Sequence, residues 1–255
     1  MNRNRMIPVL LVSAAVLFVL EIVRPVYTAD PLRNEMLRTI LTRTVGGILF
    51  LLLIRENDGQ VFGMTRDRRS LLCLLPATAA AVNNFPIIGL FTGAAQVTAA
   101  PIDLLLLAFQ SLSVGLFEEM TFRGFLFPLV LQKFRGRPPF LPVIASSALF
   151  AAVHLVNLFD GMSPAAVLLQ TGYSFLIGGM CAVVLLKTRC IWFCVLLHAV
   201  YNCGGTLIPT LGSGTVWDPA TVTITAILGI IVLLIMLRTL HRVTDSEISS
   251  VLPLT

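Results

Sequence analysis

Charge is what this sequence has least of. Of its 255 residues only 12% are charged, against roughly 25% in soluble domains, and the mean hydropathy is +0.90. That scarcity excludes an ordinary soluble domain and leaves a membrane protein. Cysteine is equally uninformative as a framework. Cys73, Cys181, Cys190, Cys194 and Cys203 lie in or at the ends of apolar segments, and no two form a C-x-x-C pair. They read as small hydrophobes. Internal repeats and low-complexity tracts are missing, as are H-E-x-x-H, G-x-S-x-G and an intramembrane serine beside a histidine. An ordinary zincin, a serine hydrolase and a rhomboid-like enzyme are therefore not indicated.

What is present is a series of apolar runs with charged punctuation. A spanning helix needs roughly 20 apolar residues, and the runs predict about eight spans: 6–23, 37–54, 71–92, 104–132, 140–157, 165–186, 190–209 and 220–237. No stretch remains for a soluble domain, so residues 1–255 read as a single all-α membrane domain, a polytopic transmembrane helical bundle. The fourth run is too long for a bilayer at 1.5 Å per residue and must tilt, break or protrude. The polar, basic segment 58–69 is expected at the cytoplasmic membrane surface.

The net charge of +5 does not point to nucleic acid, because cytoplasmic loops collect Lys and Arg. With the N-terminus inside, that face holds Arg3 and Arg5; Arg55, Arg66, Arg68 and Arg69; Lys133, Arg135 and Arg137; Lys187 and Arg189; Arg238 and Arg242. The outside loops after the third, fifth and seventh spans hold no Lys or Arg. Arg24, Arg33 and Arg38 in the first outside loop are the exception. The pattern predicts N-in, C-in topology in a cell membrane (plasma or inner membrane for a bacterial protein). Arg3, Arg5 and the run from Met6 to Leu20 also have the layout of a signal peptide, but Tyr27-Thr28-Ala29 is a poor cleavage site, so the first run is expected to stay as a span.

Ionisable side chains deep in a span cost roughly 2.5–3.5 kcal/mol each and imply function. Three motifs carry them. In Glu118-Glu119-Met120-Thr121-Phe122-Arg123-Gly124, Glu119 and Arg123 are four apart and share a helix face. Glu118 is turned away by about 100° and is free for chemistry, a carboxylate suited to general-base work. The second motif, Phe150-Ala151-Ala152-Val153-His154, ends on a histidine among small residues that allow close helix approach. The third, His198-Ala199-Val200-Tyr201-Asn202, puts His198 and Asn202 on one face. At 1.5 Å per residue Glu118 and His154 lie about 22 Å from the cytoplasmic ends of their spans and His198 about 14 Å, so the three can meet inside the membrane. A Glu–Arg pair or a lone intramembrane His is often only structural; three such motifs together are not easily explained that way.

Two carboxylates and two imidazoles form a hydrolytic set in either of two versions. Glu118, His154 and His198 could ligate zinc or a similar divalent ion that activates water. Alternatively Glu118 activates water without metal, His154 assists, and His198 with Asn202 stabilises the oxyanion.

The ordered set Glu-Glu-x-x-x-Arg (Glu118, Glu119, Arg123), Phe-x-x-x-His (Phe150, His154) and His-x-x-x-Asn (His198, Asn202) resembles the CPBP family of CAAX-type prenyl endopeptidases and bacteriocin-processing or immunity proteins, also called Abi. Gly124 and the basic turn Lys187-Thr188-Arg189 are similar too. The resemblance covers residues 116–204, within a catalytic core at about 104–209. It implies an intramembrane endopeptidase acting on a peptide or membrane-protein tail in the bilayer, with Glu118 as base, Glu119 and Arg123 orienting it or supplying a ligand, and His154, His198 and Asn202 completing the site. It does not settle the metal, and nothing in the sequence indicates prenyl recognition or an oligomeric state. A non-catalytic scaffold or bacteriocin-immunity factor on the same fold, or a proton-coupled transporter, would carry the same buried charges.

Overall fold

The computed structural model describes residues 25–56 and 60–252, together with Val19 and Val23. The first expected span, 6–23, otherwise lies outside the described residues. Among them, six helices are long and apolar enough to cross a membrane. They are α1 (Pro31–Glu56), the continuous helix Pro101–Lys133, the helix Phe140–Leu158, α7 (Pro164–Thr188), α8 (Ile191–Leu211) and α9 (Pro219–His241). The helix Pro101–Lys133 comprises α4 (Pro101–Glu119), a π-helical stretch (Met120–Leu126) and α5 (Phe127–Lys133). Phe140–Leu158 comprises α6 (Phe140–Val153) and a 3-10 turn (His154–Leu158). The fold is an all-α polytopic membrane bundle.

Local chemistry sets where the spans begin. Proline opens α1, α4, α7 and α9 at Pro31, Pro101, Pro164 and Pro219, where its missing N–H costs nothing and its fixed φ suits a helix. Ser163 and Asp218 cap α7 and α9 by accepting from Ala166 N and from Ala220 N and Thr221 N.

The expected third span differs. It is two short helices, α2 (Leu74–Asn83) and α3 (Ile87–Thr92), preceded by a 3-10 turn (Arg68–Cys73). Pro86 lacks the N–H that would continue the helix and biases Phe85 away from the helical region. The two asparagines at the break are spent on other helices: Asn83 Nδ2 donates to Thr225 Oγ1 at 3.0 Å and Asn84 Nδ2 to the Tyr201 carbonyl at 2.7 Å. Gly204 of α8 makes the contact feasible, since a Cβ there would stand 2.7 Å from Phe85 N.

The long fourth span copes with its length by a π turn. Pro128 cannot donate to the carbonyl four residues back, and the preceding turn widens so that Phe127 N reaches Phe122 O. Such π insertions frequently mark functional sites, and this one follows directly on Glu118-Glu119.

At the core, α4 packs between α1 and α8, while α6 packs on α7. Gly115 lets α4 and α8 touch; a Cβ there would lie 2.8 Å from the Val195 carbonyl and 3.2 Å from Ala199 N. On the basic face, residues 61–65 dock on the α7–α8 turn: Ile191 N donates to Val61 O and Thr65 N to Thr188 O. The short helix α10 (Asp245–Ser249) is tied to the same turn by the Lys187–Glu247 ion pair. At the opposite end a two-stranded clasp pairs β1 (Ala95–Val97), just before α4, with β2 (Gly212–Gly214), just after α8.

Candidate functional site

The contact of α4 with α8 brings the first and third motifs together. His198 is buried, and its Nδ1 lies 2.7 Å from Glu119 Oε1. A carboxylate can only accept here, so Nδ1 carries the proton. The other ring nitrogen, Nε2, faces Glu118 Oε2 at 3.5 Å. On the far side of Glu119, Arg123 Nη1 lies 3.1 Å from the same Oε1. The result is a continuous line of charge and hydrogen bonding, Arg123–Glu119–His198–Glu118. Glu119 and Arg123 are fully buried, while the side chain of Glu118 keeps 22% of its surface exposed.

Two carboxylates adjacent in sequence therefore sit in different surroundings. Glu119 is held between a guanidinium and an imidazole in the packed interior. Glu118 opens into a cavity. The roughly 100° rotation between neighbours on a helix is enough to separate them.

The second motif enters through Phe150. Its ring is crossed by the Arg123 guanidinium, 4.2 Å from carbon to centroid. It also packs edge-on against Phe122, His154 and His198, at 4.9, 5.1 and 5.7 Å between centroids. Arg123 makes no hydrogen bond through Nε, Nη1 or Nη2, so its desolvated charge rests on the Glu119 ion pair and the ring face. His154 stands where α6 tightens into the 3-10 turn. Its Nδ1 donates to the Phe150 carbonyl at 3.0 Å, which leaves Nε2 with its lone pair.

Glu118, His154, His198 and Asn202 all line one cavity of about 440 Å³. The three sequence motifs thus converge, with Glu119 and Arg123 as the buried support behind the wall. Sequence reasoning passed over other polar residues of this cavity: Gln110, Gln170, Tyr173, Tyr201 and Thr206. Gln110 and Thr206 stand eight residues, about two turns, from Glu118 and His198 on their own helices and are rotated from them by about 80°, so spacing alone did not single them out. Gln170 also accepts from Asn157 Nδ2 at 2.7 Å, joining the 3-10 turn to α7. A further intramembrane cation, Arg43 of α1, lies over the ring of Phe117 at 5.2 Å, one residue from Glu118.

Among the described residues, the set whose ligand atoms gather within 4.8 Å is Glu119, Cys181 and Cys194, all buried. These three could hold a metal ion; they are not the Glu118, His154 and His198 expected from the sequence. The fit is strained, because the Glu119 carboxylate is already shared by His198 and Arg123 and the guanidinium would adjoin the ion.

Residues 100–204 match the family model described as type II CAAX prenyl endopeptidase Rce1-like. The match contains all three motifs, agrees with the CPBP resemblance, and supports a CAAX-type intramembrane protease. No curated protein and no solved structure matches the chain significantly. The matched stretch runs from α4 to most of α8 and carries most of the cavity lining; Leu32, Glu35 and Met36 of α1 and Thr206 and Thr210 near the end of α8 lie outside it.

Proposed function

We propose that this protein is an intramembrane endopeptidase in which Glu118 activates a water molecule to hydrolyse a peptide bond. The observation that carries the reading is the single cavity lined by Glu118, His154, His198 and Asn202, with Glu119 and Arg123 buried behind it.

Glu118 takes a proton from water as the oxygen attacks the scissile carbonyl. His198, with Nδ1–H anchored on Glu119, is held in one orientation, in the way a buried carboxylate holds the imidazole of a hydrolytic triad. With Nε2 protonated, His198 donates to the developing oxyanion, and the Asn202 amide supplies a second donor. As the tetrahedral intermediate collapses, the proton held by Glu118 passes to the leaving amine. His154 lines the same cavity and can relay it. Water's oxygen ends on the new carboxyl group and its protons are shared between the two products.

A metal-free reaction is the better reading of the two hydrolytic versions. It uses each of the four cavity residues in the arrangement observed, and it leaves Glu119 with the partners it has. The substrate is a membrane-associated peptide or protein; the prenyl group in the family's name is not carried over, since no residue here argues for it.

The test is a processed reporter incubated with purified protein in nanodiscs, with the new termini read by mass spectrometry. Wild-type protein should cut the reporter and incorporate ¹⁸O from labelled water into the new carboxyl group. Full activity in both Glu118→Gln and His198→Ala would overturn the proposal.

A further inference from the structure

The cavity has a direction. Its deep end is Glu118, Phe150 and His198. Its other end is lined by Glu35 and Met36 in the first turns of α1 and by Thr206 and Thr210 in the last turns of α8. His154, too, stands just past the final residue of α6. These are the helix ends opposite those that carry Arg55, Lys133, Lys187 and Arg238. Lys and Arg gather on the cytoplasmic face.

Two described arginines on the mouth side break that charge pattern, and each has an acidic partner. Arg33 binds Asp103 through Nε at 2.6 Å and Nη2 at 3.2 Å. Arg38 Nη1 lies 2.8 Å from Glu35 Oε2. Paired in this way they add little net positive charge to their face, so the asymmetry stands.

From these two facts we infer that the cavity is entered from the non-cytoplasmic side and that its substrate is a peptide segment presented at the outer surface of the membrane. The inference rests on the hydrolytic reading above and gives it a side. The mouth suits such a segment. Glu35, Gln110, Gln170 and the hydroxyls of Thr206 and Thr210 can replace the water that an extended backbone loses on leaving solution. Depth sets a length requirement. Twelve helical residues separate Thr210 from His198, about 18 Å at 1.5 Å each, and an extended chain covers at most about 3.3–3.6 Å per residue. The scissile bond must therefore lie roughly five residues or more from the point where the substrate enters.

Two measurements test this. In a Cys203→Ser background, with the other four cysteines buried, Glu35→Cys, Thr210→Cys and, on the opposite face, Arg135→Cys are exposed to a membrane-impermeant maleimide in intact cells and in inverted vesicles. Glu35→Cys and Thr210→Cys should label at least tenfold faster in intact cells, and Arg135→Cys at least tenfold faster in inverted vesicles. Labelling of the two mouth variants only in inverted vesicles would overturn the inference. Next, one cleavable segment is tethered to a single membrane helix either outside or inside. Cutting of the outside reporter alone is expected, and cutting of the inside reporter alone would overturn the substrate assignment. If neither is cut while the mouth labels from outside, the hydrolytic reading fails and the direction of the cavity holds.

Discussion

The guanidinium of Arg123 lies across the ring of Phe150, 4.2 Å from carbon to centroid. This contact joins the first sequence motif to the second and explains how a fully buried arginine with no hydrogen bond is retained. It also makes the two residues interdependent. Breaking a buried ion pair by removing one partner costs about 3–5 kcal/mol, so Arg123→Ala should lower stability by that amount and leave Glu119 with His198 alone. Arg123→Lys should recover only part of it, because an ammonium lacks the flat face that stacks on Phe150. Thermal unfolding in nanodiscs of Arg123→Ala, Arg123→Lys and Phe150→Leu, with the double variants, measures the coupling; additive losses would mean the stacking does not contribute.

The two glutamates should separate cleanly. Glu118→Gln removes the base and should lower kcat by about 10²–10⁴, with an unfolding midpoint close to wild type because Glu118 opens on the cavity. Glu119→Gln should lower both, since the amide cannot hold imidazolium and guanidinium as a carboxylate does. Equal effects on kcat and stability in both variants would contradict the division of roles.

Chelation checks the metal question. On the metal-free reading, activity survives exhaustive dialysis against a strong chelator, and added zinc does not raise it. A fall to background that is restored by a stoichiometric divalent ion would favour the other version.

Gly115 holds the two halves of the site in register. A Cβ there meets backbone at 2.8 Å and 3.2 Å, atoms that cannot rotate aside. Gly115→Ala should cost about 1–3 kcal/mol through overpacking and should weaken activity as well, by parting Glu118 and Glu119 from His198. Stability and kcat measured on the same preparation would show whether both fall.

Outside the membrane, Asp218 gives a pH dependence with a definite sign. The Thr221 hydroxyl, then the backbone N–H of Thr221 and of Ala220, hold its carboxyl below the usual aspartate range. A depressed value means that the cap's contribution is complete above the ordinary aspartate pKa, about 3.9, and is lost as pH falls through the lower folded value. Hydrogen exchange at the first turn of α9 should rise over that acidic window. Asp218→Asn should flatten the dependence.

Much of this was legible in the sequence because its causes are local. The span at 165–186 is observed as Pro164–Thr188 and that at 190–209 as Ile191–Leu211, since hydropathy and proline punctuation act over one helix. The rotation of Glu118 away from Glu119 follows from helix geometry alone. The pairing of Glu119 with His198 does not, because the residues stand 79 apart and meet only through the small-residue contact at Gly115. The break at Asn84–Pro86 was hidden in an apolar run; what decides it is the carbonyl of Tyr201 and the hydroxyl of Thr225, on other helices. Hydropathy averages also absorbed Arg43, whose charge is answered by an aromatic face.

The small β clasp has a consequence for the integrity of the whole. By pairing Ala95 with Gly214 and Val97 with Gly212, it closes the chain between them into a ring, and the family match at 100–204 falls entirely inside that ring. Closing a long loop costs free energy that grows only with the logarithm of its length, so a three-residue zipper suffices once the helices have packed. The described helices outside it, α1 to α3, α9 and α10, then pack as a collar around a self-closed unit, while the ends of α4 and α8 stay tied at the same height.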